Sequence, residues 1–231
     1  MYTKGDFHIH STYSDGGLTP AEIIRLAKIK QVDILAITDH NNTDGIDEAI
    51  EEGKRQGIRV IPGVELSTRY EKCRVHVLGY FKDDSYNNEL LKTILLKVKQ
   101  GNVKDIRKIF YNDIDFCGYK NKICVKTGVD ILRFFGAIVV LAHPVLLCKN
   151  DFENIININF DGIEAKYYKN TEEETKNLIN IAKERNMIYT AGSDFHDYIE
   201  YYRIHGMIGD VYLNEDEIHE FLNKLLINKK E

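Results

Sequence analysis

Residues 32–40 read Val-Asp-Ile-Leu-Ala-Ile-Thr-Asp-His. The apolar run up to Thr38 has the length of a β-strand, and such a run is typical of a strand that is covered on both faces of its sheet. Asp39 and His40 follow directly, so a carboxylate and an imidazole stand where the strand ends. This stretch therefore predicts a buried strand that carries chemically active side chains at its end.

The same alternation of strand and helix extends on both sides of residues 32–40. A helix is predicted from Pro20, because Thr19 is a suitable N-cap and Glu22 lies in the first turn. We expect Pro62-Gly63 to break the chain into two strands, one before and one after this dipeptide, since proline is rare inside a sheet. Further helices are predicted at 44–56, 88–108, 129–135, 171–185 and 215–227, and strands at 6–9, 58–61, 64–67, 74–80, 137–142, 162–165 and 187–191. Repeated strand–helix units indicate an α/β fold with a parallel sheet or a barrel.

Length and composition restrict the class of protein. A chain of 231 residues favours one domain over 1–231, and the change of pattern at about 84–128 indicates a small inserted cap. No apolar run approaches the roughly 20 residues that span a bilayer, and the start of the chain lacks the pattern of a signal peptide. The four cysteines form no C-x-x-C pair, so we expect them to be reduced and structural. These features favour a cytoplasmic protein without membrane contact, and no protein partner is evident.

The net charge of −5 gives no general reason to bind nucleic acid. Bound cations would cancel several of the acidic charges, however, and would make the region around them locally more positive. The overall charge therefore excludes a protein that binds nucleic acid through a broadly basic surface, but not an acidic chain with a local cation site.

Histidines and carboxylates recur at the ends of other predicted strands. Side chains at i and i+2 of a strand point to the same side, so His8 and His10 can bind one ion together, and Asp194 and His196 have the same spacing. In α/β barrels the carboxyl ends of the strands carry the active site. Histidine and carboxylate are ligands of borderline divalent metals. The further candidates are Asp15, His40, Glu65, His76 and His143.

Each candidate has a simpler interpretation when it is considered alone. His76 would ordinarily be a hydrogen-bonded core histidine, and His143 could merely end a strand before a proline. Asp15, in Ser-Asp-Gly-Gly, could belong to an ordinary turn. His219 lies among acidic residues in the middle of a predicted helix and is expected to be solvated. Because most of the histidines fall near strand ends, the pattern as a whole favours a multinuclear metal site.

Seven short motifs carry these candidates along the chain. They are His8-x-His10, Ser14-Asp15-Gly16, Thr38-Asp39-His40, Gly63-Val64-Glu65, Val75-His76-Val77-Leu78-Gly79, Ala142-His143-Pro144 and Gly192-Ser193-Asp194-Phe195-His196. Their content and order resemble the PHP (polymerase and histidinol phosphatase) superfamily, over residues 6–196. Within it, the chain is most similar to the stand-alone phosphoesterases that act on nucleotides or short RNA ends. The resemblance implies a single PHP-type domain, a distorted (β/α)7 barrel with a small inserted cap.

The resemblance also implies a trinuclear site with up to three divalent metals. Since its ligands are nitrogen and oxygen atoms without sulfur, manganese, iron and zinc all remain open. The acids Asp15, Glu65 and Asp194 would bridge or position the metals, with Glu65 between two of them. The implied ligand sets are His8, His10, Glu65 and Asp194 for the first metal, Glu65, His76 and His143 for the second, and Asp15, His40 and His196 for the third.

The expected activity is metal-dependent hydrolysis of a phosphate ester by metal-activated hydroxide. The expected substrate is of the nucleotide type: a nucleoside mono- or bisphosphate, or a short RNA or DNA end. Arg203 and His205 follow the last motif and are candidates for a phosphate contact or an acid. Lys120, Lys122 and Lys126 of the cap could bind phosphate as point charges. The alternatives are a histidinol-phosphate phosphatase and a non-catalytic binding or regulatory module that metals stabilise.

Overall fold

Strands and helices alternate along most of the chain in the computed structural model, which describes residues 1–111, 113–198 and 205–227. The strands are β1 (Gly5–Asp6), β2 (Ile34–Ile37), β3 (Arg59–Tyr70), β4 (Cys73–Tyr80), β5 (Gly118–Tyr119), β6 (Lys122–Ile123), β7 (Ile138–Leu141), β8 (Gly162–Tyr167) and β9 (Ile188–Gly192). The helices are α1 (Pro20–Ile29), α2 (Ile46–Gln56), α3 (Glu89–Gln100), α4 (Val103–Ile109), α5 (Val125–Phe134), α6 (Lys149–Ile155), α7 (Glu172–Glu184) and α8 (Glu215–Ile227). None of the described helices is long and apolar enough to cross a membrane.

Seven strands form one sheet in the order β1-β2-β3-β4-β7-β8-β9. The two edges of this sheet approach each other just beyond β1, where the N–H of Phe7 donates to the carbonyl oxygen of Ala191 over 2.9 Å. Ile9 and Phe195 form a further parallel bridge across the same gap. The sheet is therefore a nearly closed, distorted barrel, and the predicted α/β barrel fold is confirmed.

Side chains of alternating strand positions face two different layers of apolar packing. In β2, Ile34 and Ala36 join a cluster that also contains Phe7, Tyr80 and Phe221. Their neighbours in β2 pack instead against α1 and α2. This alternation is expected of strands that are buried on both faces. It explains why residues 34–37 are uniformly apolar.

β3 runs without a break through Pro62-Gly63, so the predicted interruption there is wrong. Up to Pro62 the strand pairs in parallel with β2, and from Gly63 onward it pairs antiparallel with β4. The proline is tolerated because the strand changes its partner at this position, where the ladder of hydrogen bonds changes as well. The predicted strands 58–61 and 64–67 are thus parts of one long strand.

β4 runs antiparallel to both of its neighbours, β3 and β7. A tight turn at Glu71-Lys72, with Glu71 at a φ of 47°, joins β3 to β4 as a hairpin. The sheet is therefore mixed, in contrast to the all-parallel arrangement that repeated strand–helix units favour. As a consequence, β4 begins at the end of the barrel where the parallel strands finish.

The region 84–128 contains more structure than its sequence pattern indicates. The predicted single helix 88–108 is two helices, because Gly101 adopts a left-handed conformation (φ 71°) that ends α3 and Asn102 caps α4. Buried residues of α3, among them Leu91 and Leu95, join the main apolar cluster with β3, β4 and α5. The description of this region as a cap on a single domain stays a prediction.

Two cysteines flank the short β5–β6 hairpin. The Cα atoms of Cys117 and Cys124 are 5.6 Å apart, and their sulfur atoms are joined as a disulfide. The expectation that all the cysteines are reduced is therefore wrong for this pair, because the hairpin brings the two backbones within disulfide range. Cys73 and Cys148 are free thiols.

Candidate metal centre

The predicted ligands converge from separate elements on one end of the barrel. His8 and His10 follow β1, His40 follows β2, and Glu65 lies within β3. His76 lies in β4 and reaches the same place because that strand runs in the opposite direction. The remaining ligand candidates are Asp15 in the loop after β1, His143 after β7, and Asp194 and His196 after β9.

The tightest group contains His8, His10, Glu65 and Asp194. The Nε2 atoms of the two histidines are 3.1 Å apart. The distances from these nitrogens to Oε2 of Glu65 are 3.3 and 3.1 Å, and those to Oδ1 of Asp194 are 3.4 and 3.2 Å. Ligand atoms at about 2.1 Å from a tetrahedral metal are about 3.4 Å from one another, so these spacings fit one divalent ion.

The second carboxylate oxygen of Glu65 faces two other histidines. Its Oε1 is 2.9 Å from Nδ1 of His76 and 3.0 Å from Nε2 of His143. The two oxygens of this buried carboxylate thus belong to different groups of ligand atoms. The carboxylate of Glu65 therefore connects these two groups of ligand atoms.

A third group surrounds the half-exposed Asp15. Its Oδ1 is 3.4 Å from Nε2 of His196, and its Oδ2 is 3.7 Å from Nε2 of His40. His10 also faces Asp15, with Nδ1 3.7 Å from Oδ1. The other ring nitrogen of His40 lies 3.0 Å from Glu65. The three groups therefore form one continuous cluster, with His10 and His40 at the boundaries between them.

The cluster contains buried polar atoms that the protein leaves unsatisfied. Among the described residues, Nδ1 of His10, His40 and His76 and Oε2 of Glu65 have no hydrogen-bond partner. A buried polar atom without a partner destabilises a fold by about 1–3 kcal/mol, so several together indicate a missing ligand. Divalent cations fit these nitrogen and oxygen donors.

Charge interactions in the cluster shift the acid–base equilibria of its members. Burial lowers the pKa of His10, but the nearby carboxylates of Asp194 and Glu65 outweigh it and raise that pKa to about 9. Burial would raise the pKa of Glu65 and Asp194, yet the surrounding histidines hold both well below their usual range. Burial lowers the pKa of His40 to about 4, which leaves its ring neutral. The carboxylates thus stay ionised, and cationic charge must lie beside them as protons or as metal.

Two ligand candidates have an unusual backbone conformation. His143 has a φ of 28° and Asp194 a φ of 51°, both in the left-handed region that non-glycine residues rarely adopt. Such conformations cost of order 1–3 kcal/mol each and concentrate at functional sites. The sharp bends after β7 and β9 thus place these two side chains in the cluster.

Glu164 is a buried carboxylate that the sequence reasoning missed. Its Oε1 is 2.9 Å from Nδ1 of His8, and its Oε2 accepts a hydrogen bond of 2.7 Å from the backbone N–H of His143. It therefore orients two ligand candidates at once, as carboxylates commonly do behind metal-binding histidines. An acidic residue inside the predicted apolar strand 162–165 is the signal that could have revealed it.

Two further polar side chains support the cluster. The hydroxyl of Tyr167 donates to Oδ2 of Asp194 over 2.9 Å, and burial together with that charge raises the pKa of the phenol, which stays protonated. Asp39 accepts hydrogen bonds from the backbone N–H and the hydroxyl of Ser11, at 2.7 and 2.6 Å, and from the hydroxyl of Ser14. Asp39 therefore fixes the loop that carries Asp15.

The residues predicted to contact substrate have different outcomes. His205 lies at the cluster: its Nδ1 is 3.2 Å from Oδ2 of Asp194, and its ring stacks on His196 at 3.8 Å between centroids. Arg203 lies outside the described residues. Lys126 forms ion pairs with Asp130 and Asp115, at 3.0 and 3.4 Å, which occupy its ammonium group.

The role of Lys120 and Lys122 in binding phosphate stays a prediction. His219 is exposed on α8, where its Nδ1 is 3.1 Å from the side-chain nitrogen of Asn223, as expected of a solvated residue.

Comparisons with known proteins show what the whole chain is similar to. The family model of the PHP domain matches residues 6–227. A 5'-3' exoribonuclease of Haemophilus influenzae is 26% identical over an alignment of 253 positions, gaps included, that covers 85% of this chain and 91% of that protein. A 3',5'-nucleoside bisphosphate phosphatase of Chromobacterium violaceum is 36% identical over 104 residues, 45% of this chain and 36% of that protein.

Solved structures agree with the fold. A crystal structure of a candidate metal-dependent phosphoesterase from Bifidobacterium adolescentis superposes with a TM-score of 0.75 at 20% identity, over 95% of this chain and 96% of that one. At this identity the likeness bears on the fold alone, whereas the family match spans nearly the whole sequence. The chain therefore belongs to the PHP domain family.

Proposed function

We propose that this chain, a metal-dependent phosphoesterase, hydrolyses a phosphate ester of a nucleotide-type substrate, with the phosphodiester bond nearest the 5′-phosphorylated end of an RNA as the first choice. The 5'-3' exoribonuclease of Haemophilus influenzae supports this choice, because its similarity covers 85% of this chain. The similarity to the nucleoside bisphosphate phosphatase covers 45%, so a nucleoside 3′,5′-bisphosphate is the second choice.

The observation that carries the proposal is the cluster of potential metal-ligand atoms around Glu65, several of which have no hydrogen-bond partner. Its two oxygens face different histidines, and the unpaired atoms of His10, His40 and His76 surround it. We infer that the ligand sets are the three that the family resemblance implies, with manganese, iron or zinc as the metal. Divalent cations held there would lower the pKa of a bound water and offset the negative charge on phosphoryl oxygens.

The protein's own residues would orient these ligands and accept the substrate. Glu164 holds the ring of His8 through Nδ1, so that Nε2 faces Glu65 and Asp194. Since Nδ1 of His205 lies 3.2 Å from Asp194, its Nε2 is the atom that would contact a phosphate or protonate the leaving oxygen. Its side chain is 30% exposed, which leaves it accessible from solvent.

A groove beside the cluster could hold the rest of a nucleotide. It has a volume of about 460 Å³, begins at Asn41 directly after His40, and is bounded on its other side by α3. Lys92 and Lys99 line it, and Lys92 forms an ion pair of 3.1 Å with Asp44. Because Asp44 pairs with the ammonium group of Lys92, Lys99 is the lining side chain placed to neutralise a further phosphate of a short chain.

The substrate is tested with a panel of phosphate esters. Purified protein with added manganese is incubated with a 5′-phosphorylated RNA oligonucleotide, the same oligonucleotide with a 5′-hydroxyl, a nucleoside 3′,5′-bisphosphate and histidinol phosphate. We expect the 5′-phosphorylated RNA or the bisphosphate to be hydrolysed fastest. Preference for histidinol phosphate would reject the nucleotide proposal, and no hydrolysis of any ester would favour a non-catalytic module.

The metal ligands are tested with His143→Ala. Removing this imidazole deletes a nitrogen 3.0 Å from Glu65, so we expect bound metal and activity to fall together, with activity reduced at least roughly 100-fold if the ion clamps the reacting phosphate. The matched control is His219→Ala, which removes an exposed imidazole on α8. Unchanged metal content in His143→Ala, measured by elemental analysis, would contradict the assignment.

A further inference from the structure

A second group of metal-binding side chains shares no residue with the metal centre. Cys73 begins β4, Cys148 directly precedes α6, and Asp151 lies in the first turn of that helix. One potential ligand atom of each lies within 4.8 Å of the other two. The thiol of Cys73 donates to Oδ2 of Asp151 over 2.6 Å. We propose that Cys73, Cys148 and Asp151 bind a thiophilic divalent cation of the zinc type.

The chemistry of the three side chains selects the kind of ion. Thiolates favour zinc over manganese or magnesium, and zinc accepts sulfur and carboxylate oxygen together. Three protein ligands leave one position of a tetrahedral ion for water. Cys148 is exposed, while Cys73 and Asp151 are half-buried, so an ion can enter from solvent.

The acid beside the thiols favours a cation site over a reactive thiol pair. The hydrogen bond to Asp151, together with burial, raises the pKa of the Cys73 thiol to about 11. Without a cation this thiol stays protonated and is a slow partner in thiol–disulfide exchange. A divalent cation would displace the protons of both thiols to solvent and offset two of the three negative charges of the two thiolates and the carboxylate.

The position of the group gives the ion a structural role. β4 pairs antiparallel with β7, so the start of β4 lies beside the segment that follows β7. His76 comes three residues after Cys73, and His143 comes five residues before Cys148. A cation on the two cysteines would therefore link the two elements that bring these histidines to Glu65.

The site is tested by replacing the bound metals with cobalt under a phosphine reductant. Cobalt held by thiolate shows an intense sulfur-to-metal charge-transfer absorption in the near ultraviolet, which nitrogen and oxygen ligands do not produce. We expect this absorption in the unaltered protein, and we expect Cys73→Ser or Cys148→Ser to abolish it. The weaker visible bands of cobalt in the metal centre should persist in both variants, which shows that they are folded.

Two further variants test whether the charge-transfer absorption comes from the proposed ligands and not from the hairpin cysteines. The double variant Cys117→Ser/Cys124→Ser removes the hairpin cysteines and should keep the absorption. Asp151→Asn should weaken cobalt binding at the sulfur site at least several-fold in a titration followed at that band. Absence of the band in the unaltered protein, or its survival in Cys73→Ser, would overturn the proposal. A Cys73–Cys148 disulfide found by mass spectrometry in protein purified without reductant, together with no sulfur-bound cobalt after reduction, would overturn it as well.

Discussion

Glu164 determines which nitrogen of His8 faces the other ligand atoms. Because its carboxylate lies 2.9 Å from Nδ1, it can accept a hydrogen bond from that nitrogen, which leaves Nε2 on the side of Glu65 and Asp194 for a proton or a cation. The same carboxylate also accepts the backbone N–H of His143, whose φ of 28° needs such support. One side chain thus orients ligands that are 135 positions apart in the sequence.

We expect Glu164→Gln to weaken metal binding without preventing folding. The amide can satisfy one of its two partners, but its NH₂ group cannot accept a hydrogen bond from His8 or His143. Loss of such a supporting carboxylate lowers metal affinity by roughly 10- to 100-fold. The measurement is a metal titration of the chelated protein, with circular dichroism to verify the fold.

The matched control for this prediction is Glu217→Gln. Glu217 is a half-buried acid that accepts hydrogen bonds from Lys166 at 2.6 Å and from Tyr189 at 2.9 Å. It contacts none of the ligand candidates. Its replacement should leave metal affinity unchanged. Equal metal affinities for the two variants would show that Glu164 does not position His8.

The sequence indicates the ligand candidates because histidine and carboxylate side chains are themselves metal-binding groups. His8 and His10 lie on the same side of the chain by local geometry alone, and each of the other candidates follows or lies in a predicted strand. Glu164 was missed because its role depends on where β8 lies relative to the loops after β1 and β7. That arrangement is set by long-range pairing, which no local pattern encodes.

At the scale of elements, the β3–β4 hairpin shows the same limit. Strand and helix alternation predicts a barrel, and the barrel is present, but the reversal of β4 depends on a two-residue turn at Glu71-Lys72. The turn contains no glycine or proline that would predict it from the sequence. Its effect on the site is large, since the reversed direction of β4 is what places His76 beside Glu65.

The helix α3 provides a test of how firmly the region 84–128 belongs to the main core. Leu95 is 1% exposed and packs in the cluster shared with β3, β4 and α5, whereas its neighbour Leu96 is 52% exposed. We expect Leu95→Ala to reduce the free energy of unfolding by about 2–5 kcal/mol. Leu96→Ala, the same change one position along, should alter it by no more than about 0.5 kcal/mol.

Chemical denaturation of both leucine variants, followed by circular dichroism, measures this difference. If α3 belonged to a cap that opens independently, Leu95→Ala would leave the main unfolding transition where it is in the unaltered protein. A second, earlier transition would then appear in that variant alone. A single shifted transition is the result expected of a helix that shares the core of the barrel.

At the scale of the whole molecule, the metal centre joins parts of the barrel that are far apart in the chain. Its candidate ligands extend from His8 to His196 and lie on both sides of the gap between β1 and β9. A cation bound there would therefore stabilise the nearly closed barrel as a unit. An unfolded chain cannot assemble this cluster, so cations bind almost exclusively to the folded state.

We therefore expect a chelator to lower the melting temperature, and the difference between metal-loaded and chelated protein to widen as pH rises from 6.5 to 9. One ion at 100 times its dissociation constant adds about 2.7 kcal/mol to the free energy of unfolding, and each kcal/mol shifts the melting temperature of a chain this long by roughly 2–4 °C.

The pH dependence follows from His10. In the metal-free protein its pKa is raised to about 9, so the stability that its protonation contributes is fully present below pH 6.5 and is lost as pH rises through 9. Metal binding changes in the opposite direction, because the ion must displace that proton and binds more tightly as pH rises. Scanning calorimetry at several pH values, with and without chelator, measures the difference in melting temperature between the metal-loaded and the chelated protein. This difference should be smaller in His143→Ala than in His219→Ala. A difference that stays constant or narrows toward pH 9 would mean that protons and metal do not compete for this cluster.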